Sequence, residues 1–457
     1  MKNVLPQDFE EAMTATLGRE EADALISALT STPPEVSVRL NRRKPMTMNG
    51  ERVAWCDEGR YLDLRPQFTL DPALHQGRYY VQDASSMFIS HVIRQLTRDA
   101  TASPLYLVGC AAPGGKTTAA IDALPERSVV IANDFVPARA AVLRENVTKW
   151  GYPHVIVTRS DTAALAKALA GRVDIVAADV PCSGEGMMRK DAEARAQWSP
   201  RLVAECVARQ REIVDNLWKT LKPGGYLIYS TCTFNLDENE RMVEYLTGEL
   251  GGESVRIDIT GLPGIATQIT GEAWCYRFMP HRTRGEGLTM AVIRKPASSD
   301  DRKTSHEHSG RSSRGKKQTK CQALPSNWLN DPQLELTVEE DRVNAVAPEL
   351  KGPLEALRRH KVDVIAHGVS VATVKGRDMV PSQGLAMSTA LRPEAFVRVE
   401  IDRETALDYL RRQAITLPDG TPRGYTLLTY DSIPLGFVKN IGNRANNLYP
   451  APWRILH

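Results

Sequence analysis

Leu105-Tyr106-Leu107-Val108-Gly109-Cys110-Ala111-Ala112-Pro113-Gly114-Gly115-Lys116-Thr117 is the stretch whose reading decides the fold. Four apolar residues predict a short strand, and a turn of small residues then opens a helix from Thr117. A turn built this way lets a ligand approach the backbone closely. Downstream, apolar runs alternate with helical stretches. VVIA (129–132) precedes a helix from Pro137; VIV (155–157) and VDIVAA (173–178) follow; a helix near Arg201 to Leu221 leads into YLIYS (226–230). Strand and helix taking turns imply an α/β protein with a parallel, doubly wound sheet. Trp274 to Phe278 and Leu288 to Arg294 come after a helix around Glu238 to Leu250 and are placed to pair as an antiparallel edge.

The flanks differ in character. At 457 residues, and ~150 residues per domain, about three domains are expected. The 42% hydrophobic and 25% charged content is that of a globular chain, which excludes collagen, fibrous repeats and wholesale disorder. No apolar run approaches the ~18 to 20 residues that cross a bilayer, and the start, MKNVLPQDFEEAM, is acidic where a secretory signal is basic and then apolar. A soluble, cytoplasmic monomer with no membrane partner is the expectation. Residues 1–75 read as a small α+β unit: helix formers from Gln7 to about Thr30, a stop at Pro33-Pro34, then short strand-like pieces. Within it, Arg39, Arg42, Arg43 and Lys44 follow the alternating stretch Val36 to Leu40, consistent with a strand whose end offers cations to a nucleic-acid backbone.

Charge singles out another segment. Lys and Arg total 58 against 55 Asp and Glu, yet Ala297 to Lys320 alone holds seven bases and three acids, leaving 51 against 52 elsewhere. Rich in Ser, Gly and Lys, residues 297–324 read as a basic flexible linker, serving as a spacer, as a phosphate-attracting arm, or as both. Beyond it, 325–457 reads as a separate small domain: a helix from Pro348 to His360, another near Arg403 to Gln413, and a hairpin of YTLLTY and PLGFVKNIG turned by Asp431-Ser432.

The glycine-rich turn invites a phosphate-loop reading, but that motif requires glycine at 110, where Cys110 stands. Roughly 20 residues on, after the second strand, Asp134 can accept hydrogen bonds from both hydroxyls of a ribose. Turn and carboxylate together indicate a nucleoside-bearing cofactor; a structural turn with a helix-capping aspartate is the alternative. Seven cysteines (56, 110, 182, 206, 232, 275, 321) include no CxxC pair, so neither a disulfide framework nor a metal site is expected. Two of them stand apart. The fourth strand ends in Asp179-Val180-Pro181-Cys182-Ser183-Gly184-Glu185-Gly186 and the fifth in Tyr229-Ser230-Thr231-Cys232-Thr233-Phe234. Both thiols therefore lie at carboxyl ends of parallel strands, where open α/β sheets bind ligands. Cys56, Cys206, Cys275 and Cys321 read as inert.

Two thiols, a carboxylate and a nucleoside cofactor suit one chemistry. C5 of cytosine is too weak a nucleophile to take a methyl group directly, but a thiolate adding to C6 makes C5 an enamine carbon. A proton or hydrogen bond at N3, from a carboxyl group such as Asp179, eases that addition. Afterwards the C5 proton must leave and the sulfur must be expelled, and a second thiol can assist.

CAAPGGK (110–116), DVPCSGEG (179–186) and YSTCTF (229–234) together resemble the signature motifs of the RNA cytosine-C5 methyltransferases, which use S-adenosyl-L-methionine. The likeness runs from about Tyr79 to Lys295. Val380-Pro381-Ser382 and Gly442 to Pro450 are similar to the end of RsmF-type bacterial enzymes, which modify 16S ribosomal RNA. The resemblance implies a Rossmann-like class I methyltransferase domain over 76–296, a mostly parallel sheet with an antiparallel edge strand, and a PUA-like RNA-binding domain over 325–457. It also implies site roles. Cys110, Ala111, Ala112, Pro113, Gly114, Gly115 and Lys116 wrap the methionine part of the cofactor, Asp134 holds its ribose, Asp161 takes the adenine side, and Asp179 lies between cofactor and cytosine. Cys232 is then the nucleophile and Cys182 assists release, with 16S ribosomal RNA or the small subunit as partner. Two positions depart from the family pattern: Val108, where an acid is usual, and Leu288, where an aromatic is usual. A cytosine must be unpaired or flipped out to be attacked on its ring face; Arg39 and the Lys/Arg of 302–320 are the first candidates for phosphate contact. The rival function is a non-catalytic RNA-binding assembly factor that retains the fold.

Overall fold

The computed structural model describes residues 4–297 and 324–456. Its central sheet runs in the order Glu253–Ser254, Leu288–Arg294, Leu221–Thr231, Val173–Asp179, Leu105–Val108, Val129–Asn133, Val155–Thr158, Val364–His367, with Tyr276–Phe278 beside Leu288–Arg294. The five strands from Leu221–Thr231 to Val155–Thr158 are parallel, and the flanking strands pair antiparallel. Continuous apolar strands reflect burial on both faces. Tyr106, Val108, Val130, Ala132, Ile175 and Ala177 belong to one hydrophobic cluster, whereas Leu107, Ile131, Val176 and Ala178 belong to another. Alternate side chains thus feed opposite faces, as the pleat requires. The chain leaves the Leu105 strand in one direction and returns on its other side at the Val173 strand, so the crevice that binds ligands opens where the order reverses.

Local signals set the helices around that crevice. Gly114, at φ +112°, opens the helix Gly115–Ala123 from a left-handed conformation that a side chain would resist. Pro137 begins the helix Pro137–Trp150, and Gly151, at φ +87°, ends it with its N–H on the Val147 carbonyl. The helix Pro200–Thr220 starts where the Ser199 hydroxyl accepts from the Leu202 N–H.

Several expectations change. The N-terminal helical run is two helices, Gln7–Leu17 and Arg19–Ser31, because Gly18 takes φ +81°. The N-terminal sheet of Glu51–Val53, Cys56–Leu62 and Val36–Leu40 also takes Tyr79–Val81, beyond residue 75. The C-terminal block is not separate from the central domain. It makes two four-stranded sheets, spanning 335–381 and 397–447, and sends Val364–His367 to extend the central sheet. Arg159 anchors that strand, its side chain meeting Asp363 at 2.6 Å. The Asp431-Ser432 hairpin forms as expected, both residues holding the positive φ of a two-residue turn.

The largest correction concerns Arg39. It is 1% exposed and offers nothing to a phosphate. Its guanidinium binds Asp122 at 2.7 Å, the Thr118 hydroxyl at 2.6 Å and the Gln82 side chain at 2.9 Å, and lies over the Trp150 ring. Arg43 reaches the other Asp122 oxygen at 2.8 Å, and Arg42 donates to the Asp122 carbonyl. Lys44 is buried between the carbonyls of Gln76 and Lys149, and burial pushes its ammonium down to about 7. The basic cluster fastens the N-terminal sheet to the central domain. The Lys/Arg set of 302–320 and Cys321 lie outside the described residues.

Candidate active site

The carboxyl ends of the Val173 and Leu221 strands bring the two cysteine motifs together, with Cys182 Sγ 3.3 Å from Cys232 Sγ. Asp179, the last residue of its strand, accepts from the Ser230 hydroxyl at 2.8 Å and pairs with Lys116 Nζ at 3.0 Å. Burial opposes the Lys116 charge, but the Asp179 carboxylate outweighs it and holds the lysine above its ordinary value. The lysine of the glycine-rich turn is thus directed at Asp179.

The two thiols are not equivalent. The hydrogen bond from Cys182 pulls Cys232 below the ordinary thiol value; Lys116 acts the same way, while burial and Asp179 oppose. That same hydrogen bond, followed by burial, pushes Cys182 well above it. Elsewhere burial alone dominates: it pushes Cys56 and Cys206 up to about 11 and Cys110 and Cys275 up to about 12. Among the described cysteines only Cys232 is shifted toward thiolate, the reactive form.

The turn and the other aspartates line the same sheet edge. Asp134 is 3% exposed, accepting from the Ala112 N–H at 3.2 Å and the Val136 N–H at 3.1 Å and pairing with Arg139 at 3.2 Å. Asp161 caps the helix Thr162–Ala168 through the Ala164 N–H. Phe135, 68% exposed, presents a free ring next to Asp134. Val108 is buried in the core, and Leu288 packs in the same cluster.

Sequence reasoning missed the frame behind the thiols. Glu185, from the Cys182 loop, accepts from the backbone N–H groups of Phe234 and Asn235 in the Cys232 loop, from the Asn235 amide at 2.8 Å and from Trp198 Nε1 at 3.0 Å. Glu238, from beyond Cys232, accepts from the Ser183 N–H at 3.0 Å, the Ser183 hydroxyl, the Asn235 amide at 2.9 Å and Gln210 Nε2 at 2.6 Å. Each loop sends a glutamate into the other. Both residues are fully buried, and among the described residues neither is paired with a cation. The only signal available in sequence was position: Glu185 three residues after one cysteine and Glu238 six after the other.

A glycine-rich turn, strand-end carboxylates and reversed strand order define the class, a Rossmann-like methyltransferase. Comparisons with known proteins agree. Residues 100–294 match the family model for 16S rRNA methyltransferase RsmB/F, residues 5–84 the N-terminal domain of 16S rRNA methyltransferase RsmF, and residues 396–455 the methyltransferase RsmF PUA domain. The ribosomal RNA small subunit methyltransferase F of Cronobacter sakazakii is 29% identical across 98% of this chain and 95% of its own; that of Klebsiella pneumoniae is 29% identical across 87% and 83%. Among solved structures, NSun6 from Pyrococcus horikoshii, determined with SFG, has a TM-score of 0.55 at 19% identity, covering 65% of this chain and all of its own. A methyltransferase homologue from the same organism has a TM-score of 0.54 at 24% identity, covering 64% and 96%. The chain belongs to the RsmB/F family of 16S ribosomal RNA methyltransferases and carries its RsmF-type N-terminal and PUA domains. Its family is that of ribosomal RNA methyltransferases, and the PUA match at 396–455 spans the whole second C-terminal sheet, 397–447.

Proposed function

We propose that the protein methylates C5 of a cytosine in 16S ribosomal RNA through a transient bond between Cys232 Sγ and C6 of the ring. One observation carries the reading: the Cys232 and Cys182 sulfurs stand 3.3 Å apart, near a Lys116–Asp179 pair, at the ligand-binding end of the sheet.

The methyl donor is S-adenosyl-L-methionine, which when bound supplies an electrophilic methyl group on a positively charged sulfur. The chemistry of the site suits it. Asp134, Asp161 and Asp179 line one sheet edge with acceptors for hydroxyls, amines and a cation, and Phe135 offers a face to a purine. Cys110, Ala111, Ala112, Pro113, Gly114, Gly115 and Lys116 would enclose the methionine part, Asp134 would take the ribose and Asp161 the adenine side.

On the RNA side, Cys232 attacks C6 and its negative charge passes into the ring. The Lys116–Asp179 pair holds a proton where N3 needs one as that charge builds. C5, now nucleophilic, would take the methyl group as the donor's carbon–sulfur bond breaks and its sulfonium becomes a neutral thioether. The C5 proton then passes to water, the C5–C6 double bond reforms as the C6–S bond breaks, and N3 returns its proton to the Lys116–Asp179 pair. Cys182 donates its S–H to the departing sulfur, and that proton returns across the sulfur–sulfur contact before the next cycle.

Incubating 16S ribosomal RNA or small subunits with radiolabelled S-adenosyl-L-methionine tests this. Incorporation at a cytosine, reduced to background by Cys232→Ala, is the expected outcome. Undiminished incorporation in that variant overturns the mechanism, and no incorporation on any ribosomal substrate favours a non-catalytic assembly factor.

A further inference from the structure

Two thiols 3.3 Å apart, either of which can donate the hydrogen bond between them, pose a question the mechanism leaves open: what favours the shared proton on Cys182 and the charge on Cys232? The difference lies in what stands behind each sulfur. Glu238 is braced against both neighbours of Cys182. Ser183 donates to it through backbone and hydroxyl, and Gln210 Nε2 bonds both Glu238 Oε2 and the Pro181 carbonyl. Four donors surround the Glu238 carboxyl and favour its ionised form, Asn235 Nδ2 and the Ser183 hydroxyl at Oε1, Ser183 N and Gln210 Nε2 at Oε2. Glu185, bonded to four N–H groups and sharing Asn235 with Glu238, adds a second negative charge behind the loops. Burial works against both charges and pushes both carboxyls up. Cys232 instead faces the Lys116–Asp179 pair, whose ammonium favours its thiolate and whose carboxylate opposes it more strongly; Glu238 also opposes it, but less than either. The charged and titratable groups acting on the pair are therefore Lys116, Asp179 and Glu238, with Glu185 and Cys206 behind Glu238.

We propose that Glu238 is the positioning residue that selects the nucleophile: its carboxylate, held against Pro181 and Ser183, keeps the shared proton on Cys182, and Lys116 favours the thiolate at Cys232. Glu238 does so without touching RNA or cofactor. Negative charge disfavours a neighbouring thiolate and a cation favours one, so the two loops are polarised before substrate arrives. The inference rests on the reading of Cys232 as nucleophile.

The test needs no RNA. The full-length protein is treated with iodoacetamide across a pH series, and initial alkylation at Cys182 and Cys232 is followed by mass spectrometry of the two peptides. Native protein is expected to alkylate first at Cys232. Glu238→Gln, which removes the charge and keeps the size, is expected to lower the Cys232-to-Cys182 rate ratio by about tenfold, the change in thiolate fraction that one pKa unit produces. Glu238→Asp is expected to restore most of the ratio. If Glu238→Gln does not fold, Gln210→Met, which withdraws one donor and so weakens the carboxylate, is expected to move the ratio in the same direction. An unchanged ratio in a folded variant overturns the role of Glu238 and leaves Cys232 as nucleophile. Preferential alkylation of Cys182 in native protein overturns both, and full methylation by Cys232→Ala overturns only the nucleophile.

Discussion

Two of the places where the molecule buries negative charge treat it in opposite ways. At the junction of the N-terminal sheet and the central domain, Asp122 is met by Arg39 and Arg43. Behind the cysteine loops, Glu185 and Glu238 are met by amides, an indole, a hydroxyl and backbone N–H groups. Direct neutralisation suits a joint, because the charges cancel and the parts are locked. Solvation by neutral dipoles fixes geometry equally well and leaves the charge uncancelled beside the thiols. A buried charge can therefore serve as cement or as an electrical bias, depending on whether its partners are themselves charged.

Three experiments break or sharpen that contrast. The largest effect belongs to the thiol side. Cys182→Ala is expected to trap a covalent protein–RNA adduct stable to denaturing electrophoresis and to lower turnover by ~10²-fold or more, the usual contribution of a proton-donating group, with the melting temperature nearly unchanged. An adduct that accumulates with Cys232→Ala instead reverses the two roles. Next comes the joint. Arg39→Met removes one partner of a buried pair and leaves Asp122 to Arg43 alone; it is expected to cost about 3–5 kcal/mol in denaturant unfolding while leaving thiol alkylation selectivity as it was. A loss below about 1 kcal/mol shows that Arg43 and water suffice for Asp122.

The smallest effect is one of pH. His75, in the N-terminal unit, is held neutral by burial, which lowers it from 6.5 to about 4; its Nδ1 has no partner. A histidine lowered on folding stabilises the fold fully above its unfolded value and loses that contribution as pH falls from 6.5 toward 4. Over that window wild type is expected to lose up to about 3 kcal/mol more than His75→Gln, read from urea unfolding at pH 7 and pH 4.5. Equal losses in the two proteins remove His75 from the acid response.

The strands from Leu105 to Ser230 were legible because a sheet buried on both faces demands unbroken apolar runs. The convergence of Cys182, Cys232 and Asp179 was legible because parallel strands deliver their carboxyl ends to one edge. Arg39 was misread for a physical reason. In sequence an arginine destined for Asp122, 83 positions away, cannot be told from one destined for a phosphate. The strand Val364–His367 was likewise assigned to a separate domain, since pairing with Val155–Thr158 depends on contacts more than two hundred residues apart.

The sequence by itself determined the doubly wound architecture, the family and which thiols and carboxylate stand at the carboxyl ends of the strands, because periodicity and motif spacing are local properties of the chain. Only the tertiary structure decided which charges cancel and which remain. Glu185 and Glu238 become a cross-brace, and Lys116 becomes a partner of Asp179, solely through distances that folding creates. Electrostatic energy depends on those distances and on the exclusion of water, and neither is written along the chain.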